Sequence, residues 1–122
     1  MDFTEKNEKE ILDIATPIMD NLMEASTNLN YEAHIRDFSL PLPEGFTKEA
    51  FQQDCKEYQS QYGTFTDRKY LGQTTNAHFV NVYWVQSYSK TESQHLAILT
   101  LSVQNNKYVV NRAFLDTWQL KG

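Results

Sequence analysis

Gln61-Tyr62-Gly63-Thr64-Phe65 is the stretch at which this chain changes its hydrophobic rhythm. Before it, apolar residues recur at every third or fourth position, the spacing of one helix face. After it they alternate with polar ones, the spacing of one sheet face. Helices first and an antiparallel sheet afterwards are therefore expected: an α+β architecture of three N-terminal helices on a curved sheet of about four strands. Gly63 suits the junction because glycine tolerates the positive backbone angle that ends a helix.

Toward the N-terminus, Thr47 can cap a helix running to Tyr62, with Phe46 and Phe51 at the spacing of a hydrophobic staple. Leu40-Pro41-Leu42-Pro43-Glu44-Gly45-Phe46 reads as a loop whose apolar side chains are pinned down, since proline forces extension on the residue before it. Asn28-Leu29-Asn30 supplies a stop and a fresh cap for a short helix over 31–38. Over 4–27, Ile11, Leu12, Ile14, Ala15, Ile18, Met19, Leu22, Met23 and Ala25 recur at helical spacing. Pro17 predicts a kink or restart there, or equally two short helices meeting at Thr16-Pro17.

Toward the C-terminus, strands are predicted over 64–71 (bounded by Gly72), 77–88, 94–103 and 107–116, on their Val, Ile, Tyr, Phe and Trp content. Asn105-Asn106 is a good two-residue turn pairing Gln104 with Lys107, because asparagine accepts positive φ. The loop at 89–92 sets Tyr88 opposite Ser93. These registers predict one face carrying His78, Val80, Val82, Trp84, Gln86 and Tyr88; His95, Ala97, Leu99, Leu101 and Val103; and Tyr108, Val110, Arg112, Phe114 and Asp116. That face is set against the helices. The opposite face, with Phe79, Tyr83, Ile98, Val109 and Leu115, is too apolar for full exposure, and a second copy of the chain packing there is the expected explanation.

The 122 residues suffice for one domain with its own core. A formal charge of -5 argues against a surface that tracks nucleic-acid phosphates. Cys55 is the only cysteine, so an intrachain disulfide and cysteine-rich zinc sites are excluded, and it reads as a small apolar filler within its helix. The charged first ten residues contain no signal-like or membrane-spanning run. A cytoplasmic protein is expected, or a secreted or periplasmic one where a leader has been removed.

Among candidate site residues, Arg112 falls on the inner face, where a buried guanidinium needs a carboxylate or a bound anion. Asp37 or another helix carboxylate would satisfy it structurally; an acidic ligand would satisfy it functionally. His95 and Asp116 would face each other across the last hairpin, the arrangement a general acid or base requires, or an ordinary cross-strand pair. His34 and Asp37, three apart, share one side of the short helix as a solvated polar face. Trp84, Tyr88, Tyr108, Phe114 and Trp118 form core or the lining of a pocket for a flat apolar molecule. His78 and His95 stand too far apart to share a metal, and four glycines provide no phosphate loop. No metal or cofactor is expected.

Asn30-Tyr31-Glu32-Ala33-His34-Ile35-Arg36-Asp37-Phe38-Ser39, Phe46-Thr47-Lys48-Glu49-Ala50-Phe51, the Gly63 junction and Asn106-Lys107-Tyr108-Val109-Val110 together resemble the NTF2-like superfamily, in particular its small bacterial domains. Asn106 and Tyr108 stand where those domains close with Gly and Trp. The resemblance implies a cone with a pocket between the concave sheet face and the helices, and dimerisation through the convex face. Its members include ketosteroid isomerase, polyketide cyclases, dehydratases and non-catalytic binding domains. The isomerase chemistry would require a carboxylate base and an opposed phenol or acid, and 11–25 holds no tyrosine. The leading expectation is a non-catalytic domain that binds a small molecule or a protein partner. The alternatives are an isomerase, cyclase or dehydratase using His95 with Asp116, or Asp37, with Arg112 on an oxyanion, and a dimeric assembly domain with a filled core.

Overall fold

The computed structural model describes residues 3–118, with the backbone alone at Phe114, Asp116, Thr117 and Trp118. Helix α1 (Glu8–Thr27), the single turn α2 (Tyr31–His34) and helix α3 (Lys48–Tyr62) pack on an antiparallel sheet in the order β1-β2-β3-β4. The strands are β1 (Phe65–Thr75), β2 (Val80–Tyr88), β3 (Thr91–Gln104) and β4 (Lys107–Trp118). This is the expected α+β arrangement of three helices and four strands. One 3-10 turn, Phe3–Glu5, precedes α1.

Helix α1 starts at a capping box and not at Thr4. The Asn7 side chain accepts from the Glu10 amide at 2.8 Å, and the Glu10 carboxylate accepts from the Asn7 amide at 3.0 Å. Two orphan amides at the helix start are thereby satisfied. Pro17 lies inside a continuous helix, on its exposed side. Ile11, Ala15, Ile18, Met19, Leu22 and Met23 form the buried stripe. They meet Val80, Val82, Trp84, Ala97, Leu99, Leu101 and Val110 from the sheet, and each Val, Leu, Ile or Met side chain among them that is removed from water stabilises the fold by about 1.5–3 kcal/mol.

The second helix is shorter than expected because the chain after it turns to sheet pairing. Ser39 donates to the Val110 carbonyl at 2.9 Å and Val110 donates to Asp37, making a parallel bridge between Phe38 and Val110. The proline loop is likewise only partly as expected. Leu40 is exposed, and its backbone is held at both ends by the Gln104 amide, at 2.9 and 2.8 Å. At α3, Thr47 caps the Ala50 amide at 3.1 Å, the Phe46 and Phe51 rings meet at 6.4 Å, and Gly63 ends the helix with φ of 84°.

Irregularities in the strands account for the departures from simple alternation. Strand β1 passes through Gly72 by means of shifts between Phe65 and Asp67 and between Tyr70 and Gly72. Strand β2 begins at Val80 because the Asn76 side chain accepts from the His78 and Phe79 amides, both at 2.8 Å, in a side-chain turn. His78 is therefore exposed and off the sheet, and Phe79 precedes the strand. Tyr88 pairs with Thr91, not Ser93, yet Gln86 pairs with His95 as expected. The Asn105-Asn106 turn has φ of 53° and 62°.

The largest correction lies in β4. Leu101 pairs with Val110 but Thr100 pairs with Arg112, which leaves Asn111 as an extra residue. One added residue reverses the two faces of a strand beyond it. Tyr108 and Val110 keep their inner positions, whereas Ala113 and Leu115 take the places opposite Leu99 and Ala97. Arg112, Phe114 and Asp116, expected inside, instead occupy register positions opposite Thr100, Ile98 and Leu96 on the outer face. The expected outer patch also loses two members: Leu115 lines the inner cavity, and Val109 is only 4% exposed.

Candidate functional site

The helix-facing side of the sheet and the helices border an open cavity of about 800 Å³. Met19, Leu22 and Met23 of α1 form one wall, Phe51, Cys55 and Tyr58 of α3 a second, and Gln86, Tyr88 and Val110 of the sheet the third. The loop after α2 contributes Phe38, Pro41, Pro43 and Phe46, the hydrophobic staple thus serving also as lining. Methionine on one wall gives it a soft, adaptable surface.

Polar groups reach this mostly apolar space at a few points. Ser26 Oγ lies 2.7 Å from Tyr58 Oη and 3.4 Å from Cys55 Sγ. Burial pushes both the Tyr58 phenol and the Cys55 thiol up from their ordinary values, so each stays protonated at neutral pH. Cys55 is then a poor nucleophile and its role is that of a small filler. Gln86 Nε2 donates to Tyr88 Oη at 3.1 Å, and burial raises the Tyr88 phenol further still. At the opposite end, His34 sits among Phe38, Phe46 and Phe51, with ring centroids at 5.3, 6.0 and 4.6 Å. Desolvation there lowers its pKa to about 4, so the imidazole is neutral at pH 7.

Beside Gln86, on the helix-facing side of the sheet, is a cation that strand alternation does not reveal. Arg68 of β1 forms an ion pair with Asp20 of α1, donates from Nε to Gln86 Oε1 at 3.3 Å, and lies over the rings of Phe65 and Trp84 at 4.8 and 5.8 Å. In the sequence it stands between Asp67 and Lys69, which reads as a solvated charge run. The signal that could expose it is its cross-strand partner, Gln86, at a fully inward position.

No family model matches the chain, and a search of curated proteins gives no match. Solved structures do resemble it. A DUF4783 family protein from Bacteroides uniformis superposes with a TM-score of 0.54 at 10% identity, covering 83% of this chain and 97% of that one. Bd1075 from Bdellovibrio bacteriovorus gives 0.57 at 11% identity over 89% of this chain, which spans 41% of that protein. A DUF4783 family protein from Bacteroides ovatus gives 0.51 at 9% identity, over 82% and 94% of the two chains. The likeness is one of fold.

The residues singled out in the sequence are divided by this geometry. Tyr88 lines the cavity; Arg112 also borders it, as an exposed side chain. Trp84 is core, 2% exposed, and Tyr108 packs on Phe3 at 6.0 Å. His95 is buried outside the cavity lining, its ring 4.6 Å from Tyr62 and 4.8 Å from Tyr88, and its cross-strand neighbour is Thr117. Asp116 is displaced to the position opposite Leu96, so the expected His95-Asp116 facing pair does not form in the register. The side chains of Phe114, Asp116 and Trp118 lie outside the described residues. Asp37 is buried and held by Arg36 at 2.8 Å and Lys107 at 3.5 Å, away from the cavity. His34 and Asp37 thus share no solvated face: the turn that ends α2 sends one to the cavity and the other to the β4 edge. Among the described residues no three His, Cys, Asp or Glu side chains are grouped to hold a metal ion, and no helix is long and apolar enough to cross a membrane.

Proposed function

We propose that this chain is an NTF2-like domain that binds a small, largely apolar molecule in its cone without transforming it. The observation that carries the reading is the open cavity of about 800 Å³, reached by the polar side chains of Ser26, Tyr58, Gln86 and Tyr88. A filled core, the requirement of a pure assembly role, is at odds with that volume. Mostly apolar walls with a few convergent polar groups are the usual constitution of a ligand pocket. A binding role also fits the chemistry of the lining. Its phenols are held protonated and act as hydrogen-bond donors rather than bases, while His95 and Asp37 stand outside it.

A thermal-shift screen with rigid aromatic compounds checks this. A true ligand at a hundred times its Kd is expected to stabilise the protein by about 2.7 kcal/mol, visible as a clear rise in Tm. Ala113→Trp, which puts an indole at an exposed position bordering the cavity, is expected to abolish the rise while leaving the unliganded protein folded. A rise that survives this variant would place binding elsewhere. For acidic compounds, Arg112→Ala is expected to reduce the rise selectively.

Dimerisation through the outer sheet face belongs to the same reading. Tyr83 lies opposite Ile98 and Val85 opposite Leu96, a half-buried apolar stripe flanked by Phe79, which is 41% exposed. Light scattering after size exclusion is expected to give the dimer mass at high micromolar concentration, and Ile98→Glu the monomer mass with unchanged circular dichroism. A wild-type monomer under those conditions contradicts it.

A further inference from the structure

We infer that Tyr88 is the hydrogen-bond donor of the cone and that it selects apolar ligands bearing an uncharged carbonyl oxygen; this rests on the small-molecule reading above. The directions of the hydrogen bonds follow from a cation. A guanidinium can only donate, so the group 3.3 Å from Arg68 Nε must be the Gln86 amide oxygen, and the Gln86 nitrogen must face the other way. That nitrogen lies 3.1 Å from Tyr88 Oη and 3.6 Å from Met23 Sδ, both of which accept. The Tyr88 oxygen is thereby committed as an acceptor toward Gln86. Its own proton has no acceptor among the described residues, and Tyr88 borders the cavity.

A hydroxyl that accepts from a chain beginning at a cation is polarised into a stronger donor. Arg68 and Gln86 are thus positioning residues, and Tyr88 is the group that touches ligand. The Arg68 charge is matched by Asp20, so the chain delivers polarisation with little net charge. Met23 and Leu22 contribute apolar lining on the α1 side of the same cavity, and the one cation on the hydrogen-bond chain is already paired with Asp20. Stripping water from a carboxylate there costs far more than stripping it from a ketone, ester or amide oxygen, which one hydrogen bond largely compensates. An uncharged carbonyl is therefore the acceptor that fits.

Fluorene and 9-fluorenone, rigid tricycles differing by one carbonyl, test this on the intact protein. Fluorenone is expected to bind roughly three- to tenfold more tightly than fluorene. Its infrared carbonyl stretch is expected at lower wavenumber when bound than in cyclohexane. In Tyr88→Phe the preference and the shift should both vanish, with fluorene affinity unchanged. In Arg68→Met the preference should persist in part with a smaller shift, a response that a merely structural arginine would not produce. Equal binding of the two probes to the wild type, an unshifted carbonyl, or a preference surviving Tyr88→Phe overturns the assignment of the donor. Fluorene-9-carboxylate binding more tightly than fluorenone overturns the ligand class. The wild-type probe pair alone can refute the donor if a variant fails to fold. If fluorene and fluorenone both fail to bind, the small-molecule reading falls and this inference with it; if both bind equally, only this inference falls.

Discussion

Gly63→Ala is expected to destabilise the protein by roughly 3 kcal/mol, lowering Tm by about 10 °C. Two causes add at this position. The backbone φ of 84° with ψ of -157° belongs to a region that side chains rarely occupy. A Cβ would also stand 2.1 Å from Ser89 Oγ and 2.8 Å from the Lys90 backbone nitrogen. The serine side chain could swing away, but the lysine nitrogen cannot. It donates to the Tyr62 carbonyl at 2.8 Å, and Ser89 donates to Thr64 at 3.0 Å, which together fasten the β2-β3 turn to the end of α3. Gly45→Ala separates the two causes, since its φ is 83° with nothing within 4 Å of the added carbon. It is expected to cost only about 1 kcal/mol. Urea unfolding of both variants checks this; equal losses would show that the contact with Lys90 relaxes freely.

His34 is expected to dominate the acid sensitivity of the fold. Its folded pKa of about 4 lies below the ordinary 6.5, so the neutral ring is the form the fold accommodates. The contribution to stability is fully present above pH 6.5 and is lost as pH falls toward 4, because the unfolded chain takes up the proton first. The loss attributable to this group between pH 7 and pH 4 is ~3 kcal/mol. His34→Phe, which extends the surrounding set of Phe38, Phe46 and Phe51, removes it. Carboxylates elsewhere are common to both proteins and cancel in the comparison. Urea midpoints measured from pH 7 to pH 4 should therefore fall more steeply for the wild type than for the variant. Parallel curves would refute the assignment.

Alternation alone places Val80, Val82, Trp84, Gln86 and Tyr88 of β2, and His95, Ala97, Leu99 and Leu101 of β3, on the inner face that the structure shows. It succeeds there because the two strands pair without interruption from Val80 to Gln86. It fails beyond Val110 because a bulge is a backbone event with no counterpart in side-chain periodicity, and Asn111 looks like any polar residue of a strand. The consequence reached the site directly: a buried guanidinium was expected at Arg112, and Arg68 holds that place. Arg68 is illegible in sequence for a different reason. Its burial depends on Asp20 from a helix 48 positions away and on two aromatic faces, none of which local spacing encodes. The cavity was legible only as an implication of resemblance. Whether apolar side chains fill a concave space or merely line it depends on how far α3 stands from the sheet, which no periodicity records.

The extra residue at Asn111 makes the two halves of β4 separately editable. Its first half is bound into the sheet and to the Asp37–Ser39 segment at Val110. Deleting a single residue at the bulge would leave that half untouched and turn over the rest, handing the inner positions to Arg112, Phe114 and Asp116 in place of Ala113 and Leu115. The rim, which now carries Asp54 and an exposed Arg112, would gain an aromatic ring and a second acid and draw the arginine to an inner position, with no change elsewhere in the chain. In a scaffold of this kind, a three-nucleotide deletion is a shorter route to a new binding specificity than any one substitution in the pocket.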